Sequence, residues 1–198
     1  MNERMSPDVG RCLREGWELY KREPLLLSGA TIVVALINAL ASTIPFAAAI
    51  LYAPLLAGLY ILIMRVDEGK SIRLVQVFDG FKKFLPLALA SIVMSLLITL
   101  GLILLVIPGV YLAIAYGFTT LNIIDKHQDF WPAMENSRKT ITSCFWSYSL
   151  LVLLMLAICI AGSLPFGLGL PIAVPVCIAA QYFFYRALGT ARHAEVIA

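Results

Sequence analysis

Asn38, Thr99 and Gln181 stand inside long apolar segments of this 198-residue sequence, and their amide and hydroxyl groups are the chemistry available there. Each admits two readings. One is a hydrogen bond between helices, worth ~0.6–2 kcal/mol. The other is a contact to a solute or to water in a cavity that the three would line together. One amide alone makes no site. No proposed span core carries an ionisable residue, which argues against a carboxylate proton relay or an arginine voltage sensor, because such groups are kept in lipid where they have a use. His127 and His193 lie far apart in the charged loops, with no second ligand at i+3 or i+4, and read as solvated residues. The four cysteines, Cys12, Cys144, Cys159 and Cys177, form no C-x-x-C pair, so neither a zinc site nor a disulfide framework is expected. No Ser-His-Asp arrangement, phosphate-binding loop or dinucleotide fingerprint occurs. The expectation is no catalytic residue, no metal ligand and no cofactor.

The elements that would hold these side chains follow from composition. The sequence is 61% hydrophobic and 14% charged, with a mean hydropathy of +0.89. Soluble domains are about 45–50% apolar, so this chain needs a lipid solvent. All 15 Lys/Arg and 12 Asp/Glu fall within residues 3–23, 65–83, 125–139 and 186–195. Between these stretches the spans read as 25–44, 46–64, 84–106, 109–124, 144–164 and 166–185. The fourth is short, so it tilts, thins the bilayer or runs past Asp125. The sixth, with Pro171 and Pro175 after Gly162, Gly167 and Gly169, is expected to be kinked or to begin non-helically. Long apolar runs without period-two alternation exclude a β-barrel. The charged leader to Glu23 is too long for a signal-peptide n-region, so no cleaved signal is expected.

The loops after spans 1, 3 and 5 carry no charge, and all 15 Lys/Arg lie on the other side. The positive-inside rule then places both termini in the cytoplasm. The small net charge of +3, without a basic stripe of stacking aromatics, gives no nucleic-acid surface.

Pro45, Pro108 and Pro165 interrupt apolar runs at intervals of roughly 60 residues, a spacing that suggests internal repeats. Gly16-Trp17, Gly80-Phe81 and Asn136-Ser137 precede them at matching distances. The chain reads as one membrane domain, 1–198, of three degenerate units at about 9–64, 72–124 and 129–188, each an amphipathic segment, a span, a Pro turn and a second span. In the first segment Val9, Cys12, Leu13, Gly16, Trp17 and Tyr20 share one helical face, suited to lying in the membrane interface. In the second, Val75, Phe78 and Phe81 oppose Arg73, Asp79 and Lys82, with Ser71 as the expected cap. In the third, Asp129 caps a helix with Pro132 in its first turn. These segments either anchor the hairpins or form a lipid or partner surface from Trp17, Tyr20, Phe81, Lys82, Lys83, Trp131, Arg138 and Lys139.

The stretches VFDGFKKFLPLAL, LLVIPGVYLAIAYGFTTLNIIDKH and WPAMENSRKTITSCFW resemble a large uncharacterised group of bacterial six-span inner-membrane proteins related to the membrane domain of glycerophosphodiester phosphodiesterases. The matching motifs are Gly80-Phe81 with Phe84, Ile107-Pro108-Gly109, and Ala133 through Ser137, within a likeness covering about residues 10–190. The resemblance implies six spans and inner-membrane residence, and no catalytic residues. This sequence has no appended phosphodiesterase domain, so that activity is not carried over.

The expected fold is all-α, a polytopic bundle of about six transmembrane helices in three Pro-turn hairpins, each preceded by a short cytoplasmic amphipathic helix. The expected protein is a non-enzymatic, multi-pass bacterial inner-membrane protein that supports envelope or lipid organisation or scaffolds a partner. The expected partners are membrane lipids, anionic ones included, and a second copy or another membrane protein. The alternative is a small-molecule or lipid transporter. A filled core would favour the first reading, and a pocket reaching mid-bilayer the second.

Overall fold

A computed structural model describes residues 7–43, 47–164 and 167–197 of the chain. The described residues are helical and contain no strand. The elements are α1 (Val9–Arg22), α2 (Pro24–Ala41), α3 (Ala47–Asp67), a 3-10 helix (Leu74–Lys83), α4 (Phe84–Leu104), α5 (Val106–Ala115), α6 (Thr119–Asp125), α7 (Phe130–Ser143), α8 (Phe145–Ser163) and α9 (Leu170–Ile197). Six stretches are long and apolar enough to cross a membrane: α2, the main part of α3, the 3-10 helix with α4, α5 with α6, α8, and α9 as far as Gly189.

Two of the expected Pro turns, at Pro45 and Pro165, lie outside the described residues. At the third, Leu105 is extended (φ −159°, ψ 131°) and separates α4 from α5. Pro108 falls in the first turn of α5, where a missing N–H costs no helical bond. Gly101 and Gly109 let the two helices close on each other: a Cβ on Gly101 would lie 3.0 Å from the Gly109 Cα.

The fourth span is neither short nor continuous. It runs from Val106 to Asp125 but breaks at Tyr116–Phe118. The sixth begins with a turn in which Gly167 takes φ +78°, the left-handed region that suits glycine, and is helical from Leu170, with Pro175 inside it. The irregular part expected for its first third is confined to that turn.

The three short charged-end segments do not simply lie across the bundle. Each runs antiparallel along the second span of a neighbouring pair and seats a small residue against that span's backbone. Gly16 of α1 meets α9: a Cβ there would be 2.8 Å from the Ala180 nitrogen and 2.9 Å from the Val176 oxygen. Gly80 of the 3-10 helix meets α3 at the Pro54 carbonyl, while the Val77 carbonyl occupies the space a Cβ on Gly58 would need. Ser137 of α7 meets the α5–α6 break, donating to the Ala115 carbonyl at 2.8 Å and accepting from the Phe118 N–H at 3.0 Å. Small residues permit such close approach between helices in lipid. The residue of the third segment that stands with Gly16 and Gly80 is therefore Ser137, not Asn136.

The second segment departs most from the sequence reading. It is a 3-10 helix with Arg73, not Ser71, at its cap. With three residues per turn, side chains at i and i+3 eclipse. Val77 and Gly80 are buried on one face, and Phe78, Phe81 and Phe84 stack on another with ring centroids 6.2 Å apart at each step. Val75, read as apolar-face, is exposed. In α1 the buried face is Val9, Cys12, Gly16, Leu19 and Tyr20; Trp17, placed on that face by the sequence, is exposed.

Candidate functional site

The break in the fourth span frees backbone groups that lipid cannot satisfy. Ser137 takes the Ala115 carbonyl and the Phe118 N–H. The third freed group, the Gly117 carbonyl, accepts from Gln181 Nε2 of α9 at 2.9 Å. The same nitrogen donates to the Tyr148 hydroxyl of α8 at 2.7 Å, and Gln181 Oε1 accepts from the Tyr60 hydroxyl of α3 at 2.8 Å. Gly117 has to be small, since the Tyr148 oxygen lies 2.1 Å from where its Cβ would be. One amide thus joins four spans by side-chain chemistry.

This network floors a cavity of about 470 Å³. All six spans line it, among them Val34 of α2, Tyr60 of α3, Met94 of α4, Ala113 of α5, Met155 of α8 and Gln181 of α9. Its walls are largely apolar, with a few polar side chains such as Ser91, Thr120 and Gln181 among them, the composition of a pocket in which a few polar groups orient an apolar ligand. Cys159 and Cys177 also line it, with sulfurs 3.9 Å apart as free thiols.

A second cavity of about 280 Å³ opens at the charged end, among Phe118, Asn122, Asp125, Tyr182, Tyr185 and Arg186. Paired groups surround it. Asp67 takes a salt bridge from Arg186 and a hydrogen bond from Tyr182 at 3.1 Å, and Asp125 accepts from Tyr185 at 2.9 Å. Phe118 of this cleft belongs to an aromatic cluster. Phe118 is fully buried, with its ring centroid 4.8 Å from Tyr148, 5.4 Å from Tyr185 and 6.3 Å from Phe184. Next to it the Thr119 hydroxyl is buried with no partner among the described residues.

Of the three intramembrane polar residues singled out from the sequence, Gln181 alone lines the central cavity. Asn38 turns its amide back to the Val34 carbonyl of its own helix at 3.1 Å, and Thr99 is exposed on α4. The three are not brought together. Tyr60, Phe118 and Tyr148 were not singled out, and Ser137 was read only as a repeat marker. The signals were present: a tyrosine, Tyr60, in the middle of a span, and a Gly-Phe-Thr-Thr run interrupting an apolar stretch.

The expected charged-end surface is divided. Trp17 and Trp131 are exposed, while Tyr20 is buried and its hydroxyl pairs with Ser28 at 2.9 Å. Phe81 is half-buried in the phenylalanine stack. Lys82 pairs with Asp79. Lys83 donates to the Ile123 carbonyl at 3.1 Å, at the end of α6 where a cation suits the helix dipole, and it contacts His127 Nδ1 at 2.7 Å. His127 is therefore engaged within the chain. His193 lies where side chains are not described. Arg138 and Lys139 both pair with Glu135, and Arg138 holds that carboxyl down at about 2, far below its ordinary value. No group of three or more His, Cys, Asp or Glu side chains is placed to hold a metal ion among the described residues.

No family model, no curated protein and no solved structure matches the chain.

Proposed function

We propose that this is a non-catalytic membrane protein that admits an uncharged amphiphile into the middle of its bundle, as a carrier or transporter of such molecules. The observation that supports this reading is the cavity of about 470 Å³ walled by six spans and floored by the Gln181 network. A filled core would have spoken for a purely organising protein. The cavity's lining has amides, hydroxyls and thiols but no charged group, which suits an uncharged head and an apolar body. Ion-coupled transport through a protein-borne charge has no support here. The Lys/Arg distribution supports residence in a bacterial inner membrane with both termini cytoplasmic. The antiparallel seating of three short segments on three second spans supports the three-unit reading with Pro-turn hairpins.

The organising role keeps one observation, the exposure of Trp17 and Trp131 beside a basic end. Lys82, Lys83, Arg138 and Lys139 already have partners in the chain, so an anionic headgroup would have to exchange with Asp79, Ile123, His127 or Glu135 rather than fill an open site.

A photoreactive long-chain alcohol in liposomes carrying the full chain tests the reading. Labelled peptides should map to the cavity walls, and Met94→Trp, which fills the cavity from α4, should cut labelling about tenfold. Labelling confined to outward-facing residues, equal in wild type and M94W, would sink it. Orientation is tested separately. In a cysteine-free background, cysteines at Thr43 and Ser163 should react with an impermeant thiol reagent outside sealed cells, and one at Gly69 should not.

A further inference from the structure

We infer that the central cavity and the charged-end cleft are two halves of one passage for an uncharged solute, closed by Phe118. The inference rests on the cavity proposed above and goes beyond it, since binding alone would need no second chamber.

Four observations carry it. Neighbouring residues of one span line different chambers: Gly117 and Thr120 face the cavity, while Phe118 and Asn122 face the cleft. Phe118, which lines the cleft, packs its ring on Tyr148, whose hydroxyl is bonded to Gln181 of the cavity. Phe118 sits where the span is not a helix. Besides its turn bonds, Tyr116–Phe118 is fastened by side chains from two other helices, Ser137 at Ala115 and Phe118 and Gln181 at Gly117, so its position is coupled to α7 and α9. The buried hydroxyl of Thr119, the next residue, also lacks a partner among the described residues, as a group would if a passing solute or water used it.

The chemistry sets the class of solute. Amide and phenol groups floor the cavity, while at the cleft Arg186 pairs with Asp67 and Asp125 accepts from the Tyr185 hydroxyl. The central cavity offers no charged group to compensate an ion, and an aromatic constriction at its end excludes ions by dewetting. An uncharged molecule with hydrogen-bonding groups could exchange Gln181 of the cavity for Asn122 of the cleft as it passes. Ser137 is then a positioning residue, through which α7 holds the constriction.

The test uses the full chain in proteoliposomes, with urea as the probe and its permeability read by stopped-flow light scattering. Phe118→Ala should raise urea permeability about tenfold over wild type, Phe118→Leu should raise it less, and Phe118→Trp should leave it unchanged. Adding M94W to F118A should return permeability to the wild-type level, because the solute must cross the cavity. Variants are compared only where gel-filtration profile and thermal unfolding show a folded protein. Wild-type urea permeability in folded F118A and F118L overturns the inference, as does a raised permeability that M94W leaves untouched. The alcohol label separates this inference from the binding reading. Cavity labelling without any change in urea permeability removes the passage and keeps the binding site. Raised, M94W-sensitive permeability without labelling removes the amphiphile and keeps the passage.

Discussion

The first helices of the three consecutive pairs and the second helices divide the bundle differently. In α2, in α4 with its 3-10 lead-in, and in α8, 22%, 17% and 11% of the span is buried within the protein. In α3, in α5 with α6, and in α9, the shares are 56%, 44% and 56%. Each outer span is also more apolar than any inner one. A soluble protein would put its most apolar helices inside. Here lipid is as apolar as leucine, so outer helices gain little by burial, and the inner positions go to helices carrying something lipid cannot satisfy. The inner set holds the span break, Gln181, the buried tyrosines Tyr60 and Tyr182, and the backbone carbonyls on which Gly80 and Ser137 seat.

The largest expected effect comes from putting the same kind of change on each set. Gly58→Leu on α3 drives a side chain into the Val77 carbonyl, which stands 1.7 Å from the position of a Cβ. Both groups are backbone and cannot give way locally, so the cost should exceed ~3 kcal/mol and folded yield should collapse. Ala157→Leu on α8 points outward and should stay within about 0.5 kcal/mol. Reversible unfolding in mixed detergent micelles measures both, and similar costs would mean that α3 is not an inner helix.

A sharper version stays within one helix. Tyr148 is 1% exposed and Trp146 is 85% exposed, two residues apart on α8. Tyr148→Ala removes a buried ring packed on Phe118 and Phe184 and a hydrogen-bond partner of Gln181, and should cost about 3–5 kcal/mol. Trp146→Ala removes more surface but faces outward, and should cost under about 1 kcal/mol. Unfolding midpoints of the two variants give the answer. The reverse order would place α8 the other way round.

The sequence shows why one set was easier to read than the other. Six spans, their charged and bare ends and the all-helical class follow from hydropathy and charge, which lipid enforces one residue at a time. The inner packing does not, because it depends on what comes from elsewhere in the chain. Val75 and Phe78 look like a buried face at 3.6 residues per turn, but the segment is wound at three, and Val77 with Gly80 are buried instead. Gln181 was legible as a polar residue in a span, while its partners Tyr60, Gly117 and Tyr148 come from three other spans. Asn38 and Thr99 gave the same signal but sit on outer helices, where an amide can bond its own turn and a hydroxyl costs little.

Hydroxyls make the next test. Ser137 satisfies two backbone groups at the span break, and its removal leaves both buried without a partner. Ser137→Ala should cost about 2 kcal/mol. Ser95→Ala on outer α4 removes a hydroxyl bonded to the Ile92 carbonyl one turn back in its own helix, and should change stability by less than about 0.5 kcal/mol. Equal effects in thermal unfolding would mean that the break is held by packing rather than by α7.

The smallest effect concerns how α7 is held in turn. Glu135 lies on α7 one turn before its two partners, and Arg138, with Lys139, lowers its carboxyl to about 2. The folded value lies below the unfolded one, so the pair contributes stability above the ordinary carboxyl range, and the contribution fades as pH falls through that range toward about 2. The group is exposed, so solvent screens most of it. The expected outcome is a small acid-side fall in the α7 unfolding midpoint, followed by Trp131 fluorescence, that 0.5 M salt reduces and Glu135→Gln flattens. A fall unchanged in E135Q would mean that the pairs of Glu135 with Arg138 and Lys139 do not set the acid response of α7.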